Sequence, residues 1–587
     1  MSCFPTVSLK TDLCVVGGGL SGLSAAVEAA RHGTKVILVQ DRPMLGGNAS
    51  SEVRMWICGA HGENMRETGI VEELELENQH RNPYKNYNIW DSVMLETVKK
   101  EKNITLLLNT TCMDGEMAGD ALKSITCWQM TTQKYFHIEA ALFADCSGDS
   151  VLQPITGAPC RMGREGRNEY NESIAPETAD ARTMGMSTMI VAREYPEERI
   201  FVAPSWARKI TAKDLNYRTP NLRSSSENFW YLELGGMQDA IGDTEEVRDE
   251  LLKLAYGMWD YLKNDPEQKE KNKNFDIDWI GILPGKRESR RYIGDYVMTQ
   301  HDVEAEGRFD DMIAYGGWTM DDHHPGGFDA TDNPPTIFHP APSPYGIPYR
   351  SLYSKTVSNL FFAGRNISVT HTAMSSTRVM ATCALLGQAV GSAAALATAY
   401  KTSPRGVYQD HVRELQQMLM DDDCYLPFHT RPINELTGKA ELISDMQDAE
   451  ALRSGDDRPI GDKDNGAWGE IGCYAAYRVA DGSIQAVRLV FDSDLDRKTL
   501  PEEEATLRRP MFHNMLLKRE ASYTPKTLVK DFDLICKTAD GEKTIEVRGN
   551  YQRLVRIALP EKTTEVTLRV LATNGSEKVH IFAMDIQ

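Results

Sequence analysis

The sequence predicts an α/β protein: a doubly wound parallel sheet, an inserted α+β region, and a C-terminal all-β sandwich. Three observations carry this. A glycine-rich turn sits between an apolar strand and a helix near the N-terminus. A buried apolar strand and a long helix of small residues return far down the chain, after Asn359. Beyond residue 440 the pattern changes to short alternating segments. At roughly 150 residues per domain, 587 residues leave room for several domains. We assign 1–160 and 351–430 to the parallel-sheet domain, 161–350 to an inserted cap, and 440–587 to the sandwich.

The elements follow in order. Leu13-Cys-Val-Val16 is a short apolar run of the kind that forms a buried parallel strand. Gly17, Gly18, Gly19 and Gly22 form the turn. Leu20, Leu23, Val27 and Ala30 recur at helical spacing, and Gly33 ends the helix. Lys35–Val39 is the second strand, which completes a βαβ unit. From 160 to 350 aromatics, Pro and Gly are dense and periodicity is weak, as in Pro334-Pro335 and Pro340-Ala-Pro342. Leu360–Ala363 returns as a strand, followed by a helix from about Ser375 to Leu396. Ala381, Gly387, Gly391 and Ala394 let that helix pack closely on the sheet. Ser403-Pro404 caps the next helix, which the acidic run Asp421–Asp423 ends. The sandwich strands are Val487–Phe491, Thr544–Val547, Leu554–Ile557, Val566–Val570 and Val579–Phe582, with turns at Asp540-Gly541 and Asn574-Gly575.

Composition narrows the functional classes. A net charge of −20 repels phosphate backbones and anionic lipid, so no nucleic-acid or membrane partner is expected. The N-terminal segment lacks the basic start and apolar core of a secretory signal. Eleven scattered cysteines without a C-x-x-C pair suit reduced thiols and a cytoplasmic protein. No P-loop or G-x-S-x-G elbow is present, which argues against an NTPase or a hydrolase.

Gly17-x-Gly19-x-x-Gly22, between strand and helix, is the context of a dinucleotide site. The first glycine makes the turn, the second admits a pyrophosphate, and the third packs helix on strand. Leu20 and Ser21 belong to the helix N-terminus that faces the phosphates. The second strand ends in Gln40 where an acid is usual; its amide oxygen is expected to accept from a ribose hydroxyl, with Asp41 the other candidate. FAD rather than NAD is expected from three later segments. These are Arg42 with Leu45-Gly46-Gly47-Asn48, then Asp145-Cys-Ser147-Gly148-Asp149, and finally Asn359–Ala363-Gly364-Arg365.

These segments resemble the FAD-dependent oxidoreductases of the glutathione-reductase and succinate-dehydrogenase superfamily, over about residues 8–425. The closer likeness is to a bacterial branch carrying GGNASSEVRMW (Gly46–Trp56), PGKRESRRYIGDY (Pro284–Tyr296) and NISVTHTAMSSTRVMATC (Asn366–Cys383). The tail resembles more loosely the galactose-binding-like, discoidin-type sandwich, in Val487–Leu495 and Asn550–Pro560. The first likeness implies that the helix start at Ser375–Arg378 faces the isoalloxazine. Ser376 would then lie at the cofactor and Arg378 would supply fixed positive charge.

Histidines are the expected proton carriers: His371 as the first candidate base, His324 in the loop Asp321–Gly327 as the second, and His61 in a third loop. Arg287, Arg290 and Arg291 bind a substrate carboxylate, hold phosphates, or pair with Glu165 and Glu169, with pairing ranked first. No metal is expected. Asp492-x-Asp494-x-Asp496 with Glu503 has calcium-loop spacing, but Arg497 replaces the required glycine.

The expected function is therefore hydride transfer between a small-molecule substrate and flavin N5. A sugar or polyol is favoured because of the sandwich, which places the chain in carbohydrate metabolism. The alternatives are an FAD monooxygenase or tRNA-modifying flavoenzyme, and a glycan-binding protein with non-catalytic FAD.

Overall fold

The computed structural model describes residues 4–480, 482–500, 511, 514–518 and 521–587. The chain divides into two compact units. One comprises 1–60, 85–415 and 511–520, and the other 61–84, 416–510 and 521–587. The sequence division into 1–160 and 440–587 did not anticipate that 61–84 belongs with the C-terminal unit.

The first unit is built on a seven-stranded sheet. Its elements are β1 (Thr6–Val16), α1 (Leu20–Arg31), β2 (Val36–Val39), α2 (Tyr87–Lys100), β3 (Ile104–Leu107), β4 (Thr110–Ala118), β5 (Ala121–Gln129) and β6 (Lys134–Asp145). The strand order is β3-β2-β1-β6-β5-β4, and β7 (Leu360–Phe362) also pairs with β6. The first half of β6 pairs antiparallel with β5, and its last residues pair parallel with β7. Register decides where the site falls. Val16 lies opposite both Val39 and Asp145, and Phe362 opposite Asp145, so β1, β2, β6 and β7 end level. The turns that follow them leave from one carboxyl edge, which is where open α/β sheets bind ligands.

The insertion holds short two- and three-stranded sheets and one long helix, α3 (Thr244–Asn264). The helix buries Leu254, Met258 and Trp259 against Ile190, Phe229 and Phe275. After β7 come α4 (His371–Thr377) and α5 (Met380–Tyr400). The single helix expected from Ser375 to Leu396 is therefore two. Val379, extended at ψ 146°, breaks it and begins α5.

By length and composition α5 is apolar enough to cross a membrane, but 94% of that stretch is buried in the structure. Its small residues meet α1. A Cβ at Gly387 would lie 1.9 Å from the Ser21 carbonyl oxygen, and one at Gly391 2.6 Å from that of Ala25. Gln388 and Ser392 both donate to the buried Glu28 carboxylate, at 3.0 and 2.7 Å. Gly387→Ala is therefore expected to cost about 3 kcal/mol, the upper part of the range for overpacking, because backbone rather than a flexible side chain stands in the way. A denaturant midpoint equal to the wild type would contradict this packing.

The second unit has two antiparallel sheets, one of five strands and one of four. All five strands expected from sequence lie within observed ones, for example Ile484–Phe491 and Lys578–Ile586. The core joins Leu489, Phe532, Leu568 and Ile581, and takes in Leu76 from the helix Ile70–Arg81. That helix is held by charge as well: Arg497 meets Glu72 at 2.6 Å, and Arg66 pairs with both Glu72 and Glu75. Arg497 sits at φ 58°, the left-handed geometry a calcium loop gives to glycine. Here the acids accept from protein donors instead. Asp492 accepts from Asp494 N–H, Asp494 from Thr499 N–H and Asp496 from Asn64 N–H. Glu503 lies outside the described residues. A cavity of about 30 Å³ among Tyr425, Arg431 and Arg458 has room for a water or two, far short of a sugar ring.

Candidate functional site

Two glycine loops meet at the carboxyl edge of the sheet. Gly17 adopts φ 102°, and a Cβ there would strike Cys146 at 2.5 Å; one at Gly22 would lie 1.8 Å from the Gly17 carbonyl. Those two positions are fixed by packing. Gly19 differs: its φ is −62°, open to any residue, and the nearest atom to its missing Cβ is Gly47 Cα at 3.9 Å. Gly46, at φ 104°, donates its N–H to Gly18 at 2.8 Å and forms a parallel bridge with Gly19. Gly47 takes φ 56°. A floor bare of side chains thus lies at the start of α1, where Leu20 and Ser21 open the helix and no side chain caps its first N–H groups. Free N–H groups and open backbone at a helix start suit a pyrophosphate.

The polar side chains around this floor mostly brace it. Gln40 is buried; its Oε1 accepts from Gly18 N–H at 2.7 Å and its Nε2 donates to the Met44 carbonyl at 3.1 Å. Contrary to the ribose role expected of it, this amide ties the two glycine loops together. Asp41 is exposed, and Arg42 makes a two-pronged pair with Glu52 at 2.8 and 2.9 Å. Asn48 donates to the Lys286 carbonyl at 3.0 Å. Ser147 donates to Asp145 at 2.6 Å, and Asp145 also accepts from Tyr292 and Leu152. Gly148, at φ 77°, lies against the Arg365 guanidinium. Asp149 binds Arg365 at 2.8 Å, Lys286 at 3.0 Å and Ser289 at 2.7 Å. Burial pushes its carboxyl up, but Arg365 and Lys286 outweigh that and hold it below the usual range. Gly364, at φ 108°, turns the chain beside Ser21.

On the return segment, buried donors stand without hydrogen bonds among the described residues: Arg365 Nε, Thr377 Oγ1, Arg378 Nε and Thr382 Oγ1. Unmet buried polar atoms are costly unless a ligand meets them, so this segment fits a polar cofactor edge. Ser376 does not contribute as expected: its hydroxyl bonds Tyr345 Oη and the Trp318 carbonyl, each at 2.5 Å. Ser375–Thr377 form the last turn of α4, not the start of a helix. The start is Val379–Thr382. Arg378 donates to Asp321 at 3.2 Å.

The expected histidines carry a different chemistry. His371 begins α4 after its N-cap Thr370 and is buried, with Nδ1 2.9 Å from Glu288 and Nε2 3.1 Å from Asp322. Glu288 is held in turn by Arg291, which also pairs with Glu165 at 2.7 Å. With a carboxylate on each nitrogen both N–H groups donate, and no lone pair is left for a substrate proton. Burial alone would lower this pKa, but Glu288 and Asp322 raise it to about 10. As a base His371 is therefore replaced by a held imidazolium.

A folded pKa above the ordinary 6.5 gives stability that is complete below about pH 6.5 and is lost as pH rises through about 10. The thermal midpoint should fall more over that window in the wild type than in His371→Gln. Equal falls would contradict the ion triad.

His323 sits between Glu233 (2.6 Å) and Asp321 (3.4 Å) in the same manner. His324 is half-buried; burial first, then Arg164 and Arg218, lower its pKa, and the ring is neutral. Its Nδ1 accepts from Gly326 N–H at 3.1 Å, which leaves the proton on Nε2 as a donor. His61 is exposed in the second unit. Of the three arginines, Arg291 and Arg287 are paired internally, Arg287 with Glu233 at 3.4 Å, while Glu169 takes Arg161. Arg290 donates only to the Ser150 carbonyl among the described residues.

One group escaped the sequence reading. Asp322 is not among the expected site residues, yet its carboxylate is partly exposed and backed by His371. The signal available was an acid directly before the His323-His324 pair.

The model of the FAD dependent oxidoreductase family matches residues 12–419. Among solved structures, the chain is similar to a geranylgeranyl bacteriochlorophyll reductase-like protein from Thermoplasma acidophilum. The two are 11% identical over 71% of this chain and 86% of that one, with a TM-score of 0.31. It is similar to the myxobacterial chondrochloren halogenase CndH (11%, 71% and 80%, TM-score 0.32). It is also similar to the anhydrotetracycline hydroxylase OxyS from Streptomyces rimosus (11%, 71% and 70%, TM-score 0.30). No curated protein matches the chain. The family match runs from β1 through the return strand and α5, and the chain belongs to the FAD-dependent oxidoreductases, with FAD as its cofactor.

Proposed function

We propose that the chain oxidises a small hydroxyl-bearing substrate and that Asp322 takes the hydroxyl proton. FAD, when bound, supplies the two-electron acceptor. The backbone of Gly17, Gly19, Leu20, Ser21, Gly22, Gly46 and Gly47 would hold its pyrophosphate end. Gly364, Thr377 and Arg378 would serve the rest, with Asp149 and Gln40 keeping those loops in place.

The observation that carries the proton assignment is the Asp322 side chain, 22% exposed and 3.1 Å from His371 Nε2. Burial pushes its carboxyl up, but the His371 contact outweighs that and lowers it. Asp322 is therefore ionised at neutral pH and begins as an acceptor, the state a general base needs. The His371 imidazolium keeps it oriented and balances its charge. His324 Nε2–H, nearby in sequence, donates to the substrate oxygen.

The test is anaerobic bleaching of the FAD-loaded protein by a panel of sugars, polyols, hydroxy acids and amines. Bleaching by a hydroxyl compound is expected, and bleaching by amines alone would overturn the reading.

A further inference from the structure

We propose that Cys112 and Cys127 form a peroxide-driven, reversible disulfide across the β4–β5 hairpin. The two residues are direct antiparallel partners in the register. Directly opposed residues share one face of a sheet with Cβ atoms about 4.5–5.5 Å apart, close to the geometry a disulfide needs. The two thiols are close enough to perturb one another electrostatically. A bulge follows Cys112, between it and Asp114, and gives that strand local freedom to adjust.

Accessibility differs between the two. Cys127 is 0% exposed, whereas Cys112 is half-buried, so peroxide reaches Cys112 first. The Cys112 sulfur attacks one peroxide oxygen; the O–O bond breaks, and sulfenic acid and water form. The Cys127 sulfur then displaces the sulfenic oxygen as a second water, which leaves the S–S bond. Each sulfur has lost one electron and one proton, and one hydrogen peroxide has been reduced to two waters.

Cys112 first, and then burial, push the Cys127 thiol well above its usual range. A poorly acidic thiol is a slow leaving group, so the bridge is expected to persist once formed. Its position gives it a consequence for the cofactor site. Asn109 and Thr110, which lead into Cys112, donate their N–H groups to the Arg42 and Gln40 carbonyls at 3.2 and 2.9 Å. The bridge would pin the hairpin on which the Gln40 loop rests. Cys160, also half-buried, faces Tyr292 in its own register and offers no such partner.

The experiment treats the full-length, FAD-loaded protein with hydrogen peroxide, alkylates it after unfolding, and maps the thiols by mass spectrometry. A Cys112–Cys127 cross-linked peptide is expected, with two fewer alkylated thiols, both restored by dithiothreitol. In Cys127→Ser the cross-link should vanish and Cys112 should carry sulfenic or sulfinic acid. The proposal is overturned if both residues stay alkylatable while Cys58 and Cys160 oxidise. A Cys112 bridge to Cys14, the buried thiol that also neighbours it, would overturn it equally.

Discussion

Asp322→Asn is expected to slow substrate-driven reduction of bound FAD by about 10²–10⁴-fold, the range for losing a positioned general base. The substitution is conservative in shape, and its amide oxygen still accepts from His371 Nε2–H, so the strand Met320–His323 keeps its anchor. What it loses is the ability to take a proton. FAD content should therefore match the wild type, while the thermal midpoint falls only by the Asp322 share of the ion triad. His371→Gln should lose less, because that residue acts through Asp322. Its mark should be a pH profile moved toward higher pH, since the charge that holds the Asp322 carboxyl down is gone. Reduction of Asp322→Asn at the wild-type rate would remove Asp322 from the chemistry.

Much of the fold was legible because its signals are local. A strand, a glycine turn and a helix follow one another within Leu13–Arg31, and alternation marks each sandwich strand that was expected. The misses come from tertiary context. Nothing in the run Ser375–Leu396 announces a break, because Val379 leaves the helix to begin a second one and no proline or glycine marks the place. The small residues of α5 do show close packing, but not that the partner is α1 rather than the sheet. The helix Ile70–Arg81 reads as an ordinary segment of the first domain. What ties it to the sandwich unit is tertiary: the burial of Leu76, the Arg66–Glu72–Arg497 cluster, the His80–Tyr551 stack and Gln552 donating to the Glu73 carbonyl.

The site divides along the same line. Glycines carry their reason in the sequence, since a turn or a close approach needs them, and Gly17, Gly19, Gly22, Gly46 and Gly47 all gather at one edge. Polar residues do not, because the partner decides the role. Gln40 braces a loop, Arg42 meets Glu52, and Ser376 is consumed by Tyr345 and Trp318. His371 became an imidazolium through Glu288 and Asp322, which lie far from it in sequence and meet it only in the fold.

The central claim, that FAD rests on the floor made by Gly19 and Gly47, is tested by Gly19→Ala. The backbone there accepts any residue, and the new methyl would lie 3.9 Å from its nearest protein atom. The chain should fold as before, while the methyl stands where the pyrophosphate must approach. Affinity for FAD should fall at least about 100-fold, equivalent to about 2.7 kcal/mol. By contrast, a Cβ at Gly17 or Gly22 collides with backbone and would damage the fold itself. The measurement is the FAD-to-chain ratio after reconstitution and gel filtration, read beside the thermal midpoint of each apoprotein. One FAD per wild-type chain is expected, and a Gly19→Ala protein with the wild-type apo midpoint that emerges colourless. A Gly19→Ala protein that keeps its FAD as the wild type does would contradict it.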